Sequence, residues 1–164
     1  MTNQTEYNCK FTDMVRRHEK TIFSVCFFYA NSNISFEDLR QEVLISLFKS
    51  YRSFKGQSSE STWIYRVCLN TCLLYLRKSI SKIPTVSLDE FPCVNIEFET
   101  NDEFLQKLQW LYSAISQLNA MDKAIILMWL DELSYEEIAG NMGIPRNTVA
   151  SRLSRIKAKL SSQK

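Results

Sequence analysis

Asn147, Thr148, Ser151, Arg152, Ser154 and Arg155 bring amide, hydroxyl and guanidinium groups together near the end of the chain. At about 100° per residue, Asn147, Ser151, Ser154, Arg155 and Ala158 share one face of a helix, flanked by Thr148, Ala150, Arg152 and Lys159. These groups can hydrogen-bond to base edges and phosphates, and the short side chains among them allow close approach. The chemistry is recognition, because a helix built this way can enter the major groove of DNA. Arg155 suits a guanine edge, whereas Arg152 suits a phosphate or an intramolecular pair.

The preceding residues would position that helix. Ser134, with Glu137 three residues on, is a capping box that starts a short first helix. Ala139 is small enough for a second helix to cross closely, Gly143 supplies the unusual backbone angles of a turn, and Pro145 fits the first turn of the next helix. Val149, Leu153, Ile156 and Leu160 then form one buried stripe. The result is a helix-turn-helix over residues 134–156. Tyr135 and Glu136 stand at its first helix N-terminus, where free N–H groups can hold a phosphate.

Composition narrows the alternatives. With 164 residues, 45% of them hydrophobic, and only three glycines and three prolines, the chain predicts a mostly helical protein of one ordinary or two small domains. No apolar run approaches the ~18 residues of a membrane span, and the polar start, Met1 to Glu6, lacks a signal peptide's apolar segment. A cytoplasmic protein without membrane insertion is expected. Cys9, Cys26, Cys68, Cys72 and Cys93 are scattered and odd in number, and His18 is the only histidine. Buried, reduced thiols are expected, with no metal, no cofactor and no catalytic residue. Charge is segregated: +4 over residues 1–80, −6 over 81–132 and +4 over 133–164. Two basic ends around an acidic middle suggest two contacts with a polyanion.

The remaining periodicity predicts two helical bundles. Helices are expected over about 11–30, from Ser35 to Tyr51, and from Thr62 to Ser79, the last apolar over most of its circumference and so central. Residues 81–101 lose periodicity, carry Pro84 and Pro92, and read as an acidic linker. A helix from Asp102 to Leu118, an Asn119 cap and a helix through Ile125 to Leu130 precede the helix-turn-helix. The expected fold is all-α: a domain over 8–80, a linker over 81–101 and a second domain over 102–164.

In this order, Glu37-Asp38-Leu39-Arg40-Gln41-Glu42-Val43, Phe54-Lys55-Gly56, Thr62-Trp63-Ile64-Tyr65-Arg66-Val67-Cys68-Leu69-Asn70 and Ser134-Tyr135-Glu136-Glu137-Ile138-Ala139 resemble a bacterial RNA polymerase sigma factor of the extracytoplasmic-function (ECF) group. The resemblance covers roughly residues 10–79 and 104–160. It implies a sigma region 2-like domain and a region 4-like domain, and a non-enzymatic subunit that binds polymerase core, recognises the −35 and −10 promoter elements and helps melt DNA. Implied partners are the clamp helices of the largest polymerase subunit, the flap of the second-largest, promoter DNA and an anti-sigma factor, with the free chain a monomer. The alternative is a free-standing helix-turn-helix regulator, which predicts a dimer on palindromic sites.

Carried over position by position, Asp38, Leu39, Gln41, Glu42 and Phe48 match the polymerase-binding segment. Lys55, Gly56, Ser58, Ser59, Trp63, Tyr65, Arg66 and Asn70 match the part that captures the −10 strand, where an unstacked base can be read on its edges. Lys55 and Arg66 would neutralise phosphates, Asn70 offers donor and acceptor, and Tyr65 could stack on a base or pack between helices. Tyr135, Glu136, Asn147, Thr148, Ser151, Arg152, Ser154 and Arg155 match the −35 reader. Two departures stand out: Ala150 replaces a commonly basic residue, and Glu60 puts a negative charge in the strand-capturing loop.

Overall fold

A computed structural model describes residues 2–80 and 102–162. They form eight helices, and among them there is no strand beyond an isolated Asn31–Ile34 bridge. The chain divides into two compact units, Met1–Val86 and Ser87–Lys164. The linker expected over 81–101 lies outside the described residues, as does Cys93.

In the first unit, α1 (Thr2–Arg17) and α2 (Glu19–Tyr29) replace the single helix expected over 11–30. The break is at His18, whose φ of −110° and ψ of 17° leave the helical region. Periodicity runs through the break, so the sequence pattern does not reveal it. The earlier start of α1 is supported by a Lys10–Glu6 pair one turn apart and by Tyr7 and Phe11 packing on Phe48 and Tyr51.

Helix α3 (Phe36–Tyr51) starts where the Ser35 hydroxyl accepts the Asp38 N–H, and buries Leu39, Val43 and Leu47. Helix α4 (Glu60–Ile80) packs against both α2 and α3. Ile64, Tyr65, Cys68, Leu69 and Cys72 are its buried face, matching the expectation of a central helix. Cys26, Cys68 and Cys72 are buried free thiols, and burial raises the Cys68 pKa well above its ordinary value; Cys9, contrary to expectation, is exposed because it faces outward on α1.

The second unit contains α5 (Asp102–Ser116), α6 (Ala120–Leu130), α7 (Tyr135–Met142) and α8 (Arg146–Ser162). Asn119 caps α6, accepting the Asp122 N–H at 2.9 Å while its amide donates to the Asp122 carboxylate at 2.7 Å. Ile125 and Met128 of α6, Ile138 of α7, and Val149 and Leu153 of α8 are almost wholly excluded from solvent and form the core. At ~25 cal/mol per Å² of apolar surface, this shared core, rather than helix propensity, fixes the orientation of α8.

Candidate nucleic-acid interfaces

The α7–turn–α8 geometry is set by local chemistry. Ser134 Oγ accepts the Glu137 N–H at 3.2 Å, and the Glu137 carboxylate accepts the Ser134 N–H at 2.9 Å, completing the capping box. The Ser134 N–H and then its hydroxyl hold the Glu137 carboxyl below its ordinary pKa. Gly143 ends α7 in the left-handed region at φ 65°. Nothing lies within 4 Å of a Cβ built there, so the glycine is required by backbone angle rather than by space. Pro145 lies one position before α8, not inside it, and its carbonyl accepts the Thr148 and Val149 N–H groups. Lacking a donor of its own, it suits a place where only its acceptor is used.

On α8, Asn147, Ser151, Ser154 and Arg155 are exposed opposite the buried Val149, Leu153 and Ile156. Arg155 has no ion partner among the described residues. Arg152, half-buried, donates to Asp122 at 2.7 Å, which is the intramolecular alternative foreseen for it. Thr148 is half-buried, and its carbonyl accepts the Ser151 hydroxyl at 3.1 Å. At the start of α7, Glu136 is paired with Arg146, whose guanidinium also lies 5.5 Å from the Tyr135 ring centroid. The Glu136 pKa is lowered by its own backbone N–H and then by Arg146. That pair offsets the carboxylate at the start of α7. Lys159, one turn beyond Arg155 and read as flanking the polar stripe, shares a recess with it.

In the first unit, Lys55, Arg66 and Asn70 are exposed. The loop before α4 turns at Gly56, with φ 69° and open space around it. Trp63 is half-buried and stacks on Phe54, ring centroids 4.8 Å apart. Tyr65 is only 1% exposed, which removes it as a stacking platform for a base. It lies on the core side of α4, whereas Arg66 points outward. The Ser59 hydroxyl caps α4, accepting the Thr62 N–H at 3.1 Å and donating to the Thr62 hydroxyl at 2.8 Å. Its hydroxyl is therefore engaged at the helix start, while Ser58 is half-buried with a 3.3 Å bond to the Ser59 carbonyl.

Asp38, Gln41 and Glu42 form an exposed strip on α3, continued by Ile45 and Phe48. Leu39 is fully buried and belongs to the core, since the helical turn that exposes Asp38 and Glu42 carries Leu39 inward. Ile45 was missed; its signal was an apolar residue on the otherwise polar face. Among the described residues no group of His, Cys, Asp or Glu gathers as a metal site, and no helix is long and apolar enough to cross a membrane.

Two units of this build, each presenting a polar and basic helix face, define the class. Sigma-70 region 2 matches residues 14–80 and Sigma-70 region 4 matches residues 108–160. The chain is 33% identical over 156 residues to the ECF RNA polymerase sigma-E factor of Escherichia coli K12, covering 88% of this chain and 81% of the relative. It is 30% identical to the ECF RNA polymerase sigma-E factor of Haemophilus influenzae, covering 88% and 82%. The chain belongs to the sigma-70 family, in its ECF group of RNA polymerase sigma factors. The fold is also that of the sigma factor RpoE of Bartonella quintana, solved with the anti-sigma factor NepR, at TM-score 0.70 and 22% identity over 94% of this chain and 96% of that one. CnrH, solved with the cytosolic domain of CnrY, gives TM-score 0.63 and 18% identity over 93% and 85%.

Proposed function

We propose that the chain is a promoter-specificity subunit holding one promoter at two places, the first unit at the melted −10 strand and the second at the −35 duplex. The observation that carries this reading is the pair of exposed faces, Lys55–Arg66–Asn70 and Asn147–Ser151–Ser154–Arg155, each within a matched sigma region. The chain acts without chemistry of its own and works in the cytoplasm, where polymerase is. The α3 strip of Asp38, Gln41, Glu42, Ile45 and Phe48 docks on the basic clamp helices of the largest polymerase subunit; its mixed polar and apolar character suits such an interface. The second unit meets the flap of the second-largest subunit.

The acidic segment 81–101 is a linker between the two grips. Once one grip is engaged, a linker raises the effective concentration of the other, so neither needs high affinity alone. The free chain is a monomer, and an anti-sigma factor covers its working faces, as the complexes of RpoE with NepR and CnrH with CnrY suggest by analogy. Reconstitution tests the reading. Polymerase core plus this chain should start transcription at a cognate promoter, while a dimer that binds palindromic DNA and ignores core would overturn it.

A further inference from the structure

Glu60 should be a liability. It sits at the first position of α4, directly after the loop proposed to take a DNA strand, and a carboxylate there repels phosphates. Yet two consecutive residues from the α1–α2 break converge on it. Arg17 donates through Nη2 to both carboxylate oxygens, at 2.9 and 3.1 Å, and through Nε at 3.3 Å. His18 Nε2 lies 2.9 Å from Oε1. The His18 and Glu60 side chains are 19% and 31% exposed and Arg17 is 57% exposed, so water screens the His18–Glu60 contact less than the outer Arg17–Glu60 pair. Burial pushes the Glu60 pKa up, but Arg17 and His18 outweigh it and hold the carboxyl below its ordinary value.

The contacts cross more than forty residues of sequence and join two irregular points, the kink at His18 and the start of α4. The break brings side chains from neighbouring positions 17 and 18 onto one carboxylate, whereas a continuous helix would point them about 100° apart. Ser59 caps the same α4 terminus, and the loop from Ser53 to Ser58 hangs from it.

We infer that Glu60 is a positioning residue for strand capture: Arg17 and His18 grip it to fix the loop–α4 junction and cancel its charge. The inference rests on the −10 assignment of the first unit. It makes a prediction opposite in sign to electrostatics alone. Removing a negative charge beside a DNA strand should tighten binding, whereas removing a positioning carboxylate should weaken it.

The test uses holoenzyme reconstituted from polymerase core and full-length chain, with a single-stranded −10 oligonucleotide and a promoter duplex as probes. Glu60→Gln should weaken oligonucleotide capture by about fivefold and slow promoter opening, with binding to core unchanged. The Arg17→Glu/Glu60→Arg double variant keeps the net charge and restores the pair with reversed polarity. It should recover most of the capture that either single change loses, a rescue that loss of a DNA-contacting cation would not show. Equal or tighter capture by Glu60→Gln, or a swap no better than its single variants, would overturn the inference. Asn70→Ala in parallel tests the underlying assignment: if it leaves capture intact, the −10 reading fails; if it weakens capture while Glu60→Gln does not, only the role of Glu60 fails.

Discussion

The two units solve the problem of presenting a polar face by different means. In the second, the α7–α8 turn is set by local chemistry: a capping box, a left-handed glycine and a proline carbonyl lie within a dozen residues of one another, and the core shared with α6 then seats α8. In the first, the surface is assembled from distant pieces: the kink at His18, the loop before α4, and α4 itself, tied through Glu60 and through stacking of Trp63 on Phe54. A duplex offers a groove of fixed shape, which a preset helix can match. A melted strand must be turned out and held, which calls for a loop anchored at both ends. The comparison teaches that the turn before α8 is specified by local sequence, whereas the loop–α4 junction of the first unit is specified by long-range pairing.

The strongest challenge to that contrast is to break one core. Leu153→Ala removes a buried side chain of α8 and should cost the second unit about 2–5 kcal/mol. Hydrogen exchange should show protection falling in α6–α8 and persisting in α2–α4; an equal fall in both units would mean that they do not stand separately.

Arg155→Ala comes next. If Arg155 reads a base edge, −35 duplex affinity should fall by about 1–3 kcal/mol, with preference relaxed at one base pair. Arg152→Ala should instead lower stability, because it removes the cation paired with Asp122 and leaves that carboxylate only the Asn119 amide, and leave base preference alone. Competition binding on duplexes altered one position at a time separates the two arginines.

How far these faces could be read in advance follows the same division. The helix-turn-helix was legible because caps, turn glycine and apolar stripe are short-range signals. The α1–α2 break was not, since helical spacing continues through Arg17 and His18. Nor was the pairing of Glu60, whose partners are 42 and 43 residues away. Position in a motif assigns Leu39 to binding and leaves Tyr65 between stacking and packing; burial puts both in the core. Along α4, apolar around most of its circumference, the sequence alone does not say whether Tyr65 or Arg66 faces out.

Smaller effects sharpen the contrast further. Ser134→Ala should cost the second unit about 1 kcal/mol, read from denaturant unfolding. The pH dependence has a definite sign. Glu137 has a lowered folded-state pKa, so its contribution is present above the ordinary carboxylate range and is lost as pH falls through the lowered value. The penalty of Ser134→Ala should therefore shrink in acid. In the first unit, Arg66→Ala should lessen the salt dependence of strand capture by about one unit of log–log slope if Arg66 meets one phosphate, a change visible in binding isotherms at several salt concentrations.

The most direct measurement is footprinting of reconstituted holoenzyme on one promoter, scoring −35 duplex protection and −10 strand reactivity in the same experiment for Asn70→Ala and Arg155→Ala. The account predicts opposite failures: Asn70→Ala keeps upstream protection and loses melted-strand reactivity, whereas Arg155→Ala weakens upstream protection first and melts normally once binding is forced by concentration. Identical patterns for the two variants, with both signals lost or both kept, would contradict the assignment of one grip to each unit.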